Sequence, residues 1–226
     1  MKVTYFGHSC FGVEIGGKHL LFDPFITPNP LASHIKVEEI KADYILLSHA
    51  HQDHVADAFD IAKRTGGVLF SNYEICMYYA QKGIKSFRPM NTGGAVKAST
   101  FTVKSVNAIH SSSFDDGAYG GNPGGFVIES GEGNFYYAGD TALTEDMKLV
   151  GDGHKLNFAM LPVGDNFTMG YEDAIKASDM IKCNTIIAMH YNTFDLIKID
   201  IPKVEHAFEK AGKKIVFMNI GETKEI

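Results

Sequence analysis

The segment His49-Ala50-His51-Gln52-Asp53-His54 places three imidazoles and one carboxylate within six residues, directly after the apolar run Tyr44-Ile45-Leu46-Leu47. Neutral imidazole and carboxylate are the donors that zinc-type ions take. Residues two apart on extended backbone point the same way, so His49 and His51 can grip one ion from the end of a strand. Asp53 and His54 fall on the turn into a following helix, face another direction and can serve a second ion. The competing reading is a solvated turn in which Asp53 caps that helix, and three histidines this close are hard to fit into it. Two histidines leave a four-coordinate ion short of ligands, so others are expected at further strand ends. His110 closes TFTVKSVNAIH, Asp140 follows FYYAG, and His190 closes TIIAMH, each the first polar group beyond an apolar strand. Taken singly, each reads as an ordinary loop residue; beside the histidine cluster, they read as ligands.

Strands are expected at 2–6, 12–15, 19–22, 44–47, 67–70, 101–109, 125–129, 134–138, 157–161, 185–189 and 215–220. Val55, Ala58, Phe59 and Ala62 keep the i, i+3, i+4, i+7 spacing of one helical face, as do Val204, Ala207, Phe208 and Ala211. Weaker helical patterns cover 72–82 and 170–181. The strands at 44–47, 157–161 and 185–189 are apolar almost throughout, as expected where both faces are covered. Hairpins are expected around Gly16-Gly17 and Gly131-Glu132-Gly133. Both halves follow a hairpin with strand–helix units, which predicts two similar sheets packed face to face with helices outside. With 226 residues, 45% of them hydrophobic, and no Pro/Ser-rich linker, residues 1–226 read as a single α+β domain, a four-layer αββα sandwich.

The HAHQDH segment resembles the HxHxDH signature of the metallo-β-lactamase superfamily. His110, Asp140 and His190 follow in that family's order, each after a strand, so the resemblance spans essentially the whole chain. Gly7-His8-Ser9-Cys10-Phe11, Leu20 to Phe25, Gly139-Asp140-Thr141 and Pro162 to Gly170 are similar to motifs of its compact metal-dependent hydrolases. A more distant similarity is to ascorbate-6-phosphate lactonase. The resemblance implies two divalent ions, Zn²⁺ first, with Mn²⁺ or Fe²⁺ as alternatives. It implies His49, His51 and His110 on one ion, Asp53, His54 and His190 on the other, and Asp140 between them. Water held there would lose its proton near neutral pH, on the pattern of a pKa of about 7 at a single zinc. The resulting bridging hydroxide would attack a carbonyl carbon or a phosphorus. The family's redox branch carries glutamate where this chain has His51, which argues against a di-iron oxidase.

Other residues leave two readings open. His8 ends an apolar strand beside a glycine, as a substrate-side group or as a buried histidine bonded to a backbone carbonyl. Asp23 either orients a ligand or forms an Asp-Pro turn. Asp53 is expected to accept or relay a proton, and His8 or Asp165 to protonate the leaving group. Asp165 and Asn166 are expected at the site's rim, with Thr168 a candidate cap for the helix near Gly170 and Met169 a core residue. Asn192 is either a substrate contact or part of a turn. The loop Ser111 to Gly125, rich in glycine and serine, is either a functional rim or a flexible connector. His19, His34, His154 and His206 have no partner at metal spacing and read as surface or structural.

A formal net charge of −6 with no basic run works against binding to nucleic-acid backbones. Three scattered cysteines, Cys10, Cys76 and Cys183, read as reduced thiols, and no apolar run approaches the roughly 20 residues that cross a bilayer. The expectation is a cytoplasmic hydrolase of small lactones, esters or phosphoesters, with homo-oligomers possible at exposed sheet edges and no membrane partner. The alternatives are a phosphodiesterase on nucleotides or nucleic-acid ends, and a metal-binding protein without turnover.

Overall fold

The computed structural model describes residues 1–226. Its first sheet contains β1 (Lys2–Gly7), β2 (Cys10–Ile15), β3 (Lys18–Phe22), β4 (Tyr44–Leu46), β5 (Val68–Ser71) and β6 (Phe87–Pro89). The second contains β7 (Ala95–Lys97), β8 (Phe101–Asn107), β9 (Gly124–Ser130), β10 (Gly133–Tyr137), β11 (Phe158–Pro162), β12 (Thr185–Met189) and β13 (Lys214–Val216). The last strand, β14 (Thr223–Glu225), returns to pair with β1, giving the orders β14-β1-β2-β3-β4-β5-β6 and β13-β12-β11-β10-β9-β8-β7. Helices α1 (Gln52–Val55), α2 (Ala58–Thr65), α3 (Tyr73–Gln81), α4 (Met147–Gly153), α5 (Tyr171–Met180) and α6 (Ile201–Lys210) complete the αββα arrangement.

Period-two alternation sorts each strand's side chains between layers. Val3, Tyr5, Phe11, Val13, Leu20, Phe22, Leu46 and Phe70 enter the core between the sheets. Their alternates Leu21, Ile45, Leu47 and Leu69 pack with Ala58, Ile61, Ala62, Ile75 and Tyr79 of α2 and α3. Across the sandwich, Phe22 meets Phe135 at 5.8 Å and Tyr137 at 4.8 Å between ring centroids, and Phe135 stacks on Phe158 at 4.9 Å.

Strand direction explains where chemistry can collect. Since β1–β2–β3 are antiparallel and β3 to β6 parallel, the C-terminal ends of β1, β3, β4 and β5 share one edge. The same holds for β8, β10, β11 and β12 of the second sheet. Both hairpin turns lie at the opposite edge, where Gly16 N donates to Glu132 Oε1 at 2.6 Å. Gly16 and Gly17, at φ 56° and 71°, supply the left-handed pair that a two-residue hairpin needs.

The expected continuous helix from Val55 is instead broken into α1 and α2. Asp57 N donates to the Pro24 carbonyl at 3.0 Å rather than into a helical ladder, and Asp57 Oδ2 accepts from Ile26 N and Thr27 N. The strand expected at 215–220 stops at Val216, because the chain turns so that Gly221 N reaches the Tyr5 carbonyl. The short strands β6, β7 and β14, and the glycine-containing α4, lie outside the segments expected from sequence.

Gly139 sits at φ +61°, and a Cβ there would stand 2.7 Å from Ser48 Cβ and 3.1 Å from the Gly124 carbonyl oxygen. Gly139→Ala is therefore expected to lower stability by roughly 3 kcal/mol, combining left-handed strain with the clash. A urea-unfolding midpoint unchanged from wild type would contradict this.

Candidate metal centre

All seven expected ligands meet at the edge where the strands end. His49 and His51 follow β4, Asp53 and His54 lie in α1, His110 follows β8, Asp140 follows β10 and His190 follows β12. His49 Nε2 and His51 Nδ1 stand 3.0 Å apart, and the His110 ring lies 5.0 Å and 5.1 Å from theirs. Asp140 Oδ2 lies 3.0 Å from His190 Nε2, 3.3 Å from His54 Nε2, 3.5 Å from His110 Nε2 and 4.0 Å from His49 Nε2. Asp53 Oδ2 is 3.8 Å from His190 Nε2 and 3.9 Å from His54 Nε2. His49, His54, Asp140 and His190 are buried, while His51, Asp53 and His110 are partly exposed and form the open side.

These separations suit cations. Ligands of a tetrahedral ion at about 2.05 Å stand about 3.3 Å apart. The donor atoms fall into a His49, His51, His110 group and a group holding Asp53, His54 and His190, each mutually within 4.8 Å. His54 Nε2 and Asp140 Oδ1 are buried without a hydrogen-bond partner, which is costly unless something else satisfies them. The nitrogen and carboxylate set fits zinc-type ions.

Charge is divided unevenly. Burial, then His54, pushes His49 well below the ordinary imidazole range, and burial also lowers His51 and His110. Burial opposes charge on His54 too, but Asp140 and Asp53 outweigh it and raise its pKa well above normal. His190 is raised to about 9, Asp140 again overcoming burial. Both carboxylates are held far below the usual range: burial opposes their charge, and neighbouring histidines, His54 for Asp53 and His190 for Asp140, outweigh it. A cation taken up here competes with the protons on His54 and His190.

Asp23, fully buried at φ 41°, organises the cluster from behind. Its Oδ1 accepts from Ser48 N at 2.8 Å; its Oδ2 accepts from Ser48 Oγ, from His54 Nδ1 at 2.8 Å and from Tyr137 Oη at 2.8 Å. Because the Ser48 hydroxyl donates to Asp23, it must accept from His49 Nδ1, 2.9 Å away. One carboxylate thus holds the Nδ1 protons of His49 and His54 on the far side and turns both Nε2 atoms toward the site. Asp23 comes within ligand distance of His49 and His54, but through their Nδ1 sides, so it serves as their support.

His8 is engaged on both of its ring nitrogens. It is 1% exposed, its Nε2 donating to Asp53 Oδ2 at 3.0 Å and its Nδ1 accepting from Thr193 Oγ1 at 2.9 Å. Burial and His190 lower its pKa to about 4. With both ring nitrogens engaged, it is placed to hold Asp53. Asp165 and Asn166, at φ 59° and 53°, are also set apart from the expected role. They line a separate cleft with Tyr171, Leu196, Lys198 and Lys203 that includes none of the seven ligand residues. The Asn192 side chain accepts from Ile199 N at 2.9 Å, which occupies it in the turn. Gly170, not Thr168, occupies the N-cap of α5, and Met169 is core.

The glycine- and serine-rich loop is anchored along its length. Ala50 N donates to Ser112 Oγ, Asn72 Nδ2 to the Gly120 and Asn122 carbonyls, and Gly124 N to the Ser48 carbonyl. Phe114 stacks on Tyr78 at 3.6 Å, and Ser111 Oγ stands 3.3 Å from His51 Nε2. Ser48, Tyr137, Thr193 and Asp57 escaped the sequence reading, since hydroxyls and carboxylates that act only through tertiary contacts carry no local pattern. Ser48's place beside His49 was the one available signal.

A model of the β-lactamase superfamily domain matches residues 2–190. The chain belongs to the metallo-β-lactamase superfamily. This metal-dependent hydrolase is 54% identical over 226 residues to a UPF0173 metal-dependent hydrolase of Flavobacterium johnsoniae, covering all of both chains. It is 52% identical to the counterpart in Christiangramia forsetii, again over both whole chains. It superposes with a TM-score of 0.89 on Igni18, a metallo hydrolase of the archaeon Ignicoccus hospitalis, at 36% identity over 100% of this chain and 98% of that one. An isothiocyanate hydrolase from Delia radicum gut bacteria, 20% identical, shares the fold with a TM-score of 0.81 over 100% of this chain and 99% of that one. No helix of this hydrolase is long and apolar enough to cross a membrane.

Proposed function

We propose that this chain hydrolyses a small lactone, ester or phosphoester with two divalent ions, zinc foremost and Mn²⁺ or Fe²⁺ compatible with the same donors. The observation that carries the proposal is Asp140 Oδ2, within 4.0 Å of imidazole nitrogens from both ligand groups. His49, His51 and His110 would hold one ion, Asp53, His54 and His190 the other, with Asp140 shared. Such ions, when bound, acidify water and polarise the oxygen of the scissile bond.

The chain's own residues do the rest. Asp53 is partly exposed on the open side, and His8 pins its Oδ2, so the carboxylate keeps one orientation toward the cluster. Its place on the open side, not its basicity, makes Asp53 the candidate to relay a proton. Asp23 and Ser48 hold the Nδ1 protons of His54 and His49, so a cation would take their Nε2 atoms, displacing the proton that His54 carries there. The three buried free cysteines support a reducing, cytoplasmic setting.

Protein purified without chelator is expected to carry two equivalents of metal by elemental analysis. It should lose turnover of its substrate from a lactone, ester and phosphoester panel when stripped, and regain it on reloading with Zn²⁺. His51→Ala is expected to lower metal content and turnover together. Full turnover by the stripped protein would overturn the proposal.

A further inference from the structure

We infer that the substrate is a neutral carbonyl ester or lactone bearing an apolar group that rests on Phe194, and that anionic substrates, phosphomonoesters and nucleotides included, are disfavoured. This rests on the hydrolase reading above and narrows it. Two independent observations support it.

The first is where the exposed apolar surface lies. Nine large hydrophobic side chains are exposed on the whole protein, and five of them, Ile109, Tyr119, Phe167, Phe194 and Leu196, stand on loops at the ligand-bearing edge. Ile109 precedes the ligand His110, its N–H donating to Thr141 Oγ1 and its carbonyl accepting from Ala142 N, beside Asp140. The Phe194 ring packs edge-on to His8 at 5.4 Å and lies 6.2 Å from Phe25, while the His8 ring lies 4.2 Å from His190. An aromatic ring fixed this close to the ligands is a platform for a flat or alkyl group. Beside it, a cleft of about 230 Å³ lined largely by apolar side chains, among them Tyr5, Leu31, Tyr191 and Phe217, abuts His8 and Thr193. Such concentration of apolar surface marks a binding site.

The second is the absence of cationic side chains from the same loops. Residues 23–29, 47–51, 108–123, 138–146, 163–170 and 190–200 contain no arginine and one lysine, Lys198, whose Nζ is paired with Asp195 at 2.7 Å. Phosphoryl and carboxylate groups are normally gripped by arginine, lysine or helix N-termini. Here the outer part of an anionic substrate would find no unpaired lysine or arginine to grip it, whereas an apolar group would find Phe194.

The test uses pairs that share one reaction and differ only in charge or length. Metal-loaded wild type is given p-nitrophenyl acetate, butyrate and hexanoate, mono-p-nitrophenyl glutarate, γ-lactones of rising chain length, and p-nitrophenyl phosphate. The expected result is kcat/KM rising with chain length through KM, and butyrate preferred over the anionic glutarate monoester by at least about tenfold. Phe194→Ala is expected to raise KM for the hexanoate about tenfold while metal content stays at the wild-type value. Phe194→Lys is expected to shift preference toward the glutarate monoester. Equal or better turnover of the glutarate monoester or the phosphate by wild type, or a chain-length dependence that survives in Phe194→Ala, would overturn this inference and leave the hydrolase intact. No turnover of any ester, lactone or phosphoester by metal-loaded protein would overturn the hydrolase reading itself.

Discussion

Asp140→Ala is expected to lower kcat/KM on the best panel substrate by on the order of 10³-fold, because metal Lewis acidity supplies several kcal/mol and each 1.36 kcal/mol is a factor of ten. The position is unusual in its contacts. A single oxygen, Oδ2, is the anion nearest to His190 and to the Nε2 of His54, and it is shared with His110 and His49. Removing it leaves four converging imidazoles with Asp53 as the remaining facing carboxylate, so both ligand groups lose a donor and a compensating charge. Asp140→Asn keeps the shape and one carbonyl oxygen but not the charge, and is expected to lose turnover nearly as completely. Metal content gives a readout independent of substrate: elemental analysis of either variant should fall below the wild-type stoichiometry. Wild-type metal content together with wild-type turnover in Asp140→Ala would remove Asp140 from the centre.

The candidate ligands were legible because each obeys a local rule. His110, Asp140 and His190 are the first polar side chains past their strands, and a strand's end is where a side chain can leave the core without breaking the sheet. Their convergence required one further fact, that β4, β8, β10 and β12 end at a common edge, and alternating hairpins and strand–helix units implied it. What lay hidden depends on contacts between distant segments. Asp57 satisfies the backbone of Ile26 and Thr27 and so interrupts a helix whose apolar spacing ran straight through it. His8 sat beside a glycine at a strand end, the same signature that marked the ligands. Only the positions of Thr193 and Asp53 on either side of its ring turn it from a substrate contact into a brace. Asp165 shows the reverse: a polar residue after an apolar strand, aimed into another cleft by two successive left-handed residues. Short edge strands such as β7 escape because three residues, two of them exposed, carry too little alternation to register.

Substitution of Asp23 separates positioning from folding. Asp23→Ala strips the acceptor from Ser48 N, Ser48 Oγ, His54 Nδ1 and Tyr137 Oη in a fully buried pocket. An orphaned buried donor costs about 1–3 kcal/mol, and allowing for relaxation the expected loss of stability is roughly 4 kcal/mol. Asp23→Asn is the sharper probe. Asparagine tolerates the left-handed backbone at φ 41° and fills the same space, and its oxygen can still accept from Ser48 N. Its amide group, however, now donates toward Ser48 Oγ and His54 Nδ1. His54 must then carry its proton on Nε2, and Ser48, turned round, donates to His49 Nδ1 and drives that proton to Nε2 as well. Both ligand lone pairs become N–H groups aimed at the centre. The folded Asp23→Asn protein is expected to bind Zn²⁺ roughly 10- to 100-fold more weakly, measured by competition with a chromophoric chelator. Nitrogen chemical shifts of the neutral His49 imidazole should report the tautomer change in the metal-free state. Wild-type zinc affinity with unshifted imidazole tautomers would mean that Asp23 supports the fold and not the ligands; weakened affinity at near-native stability isolates tautomer control as its role.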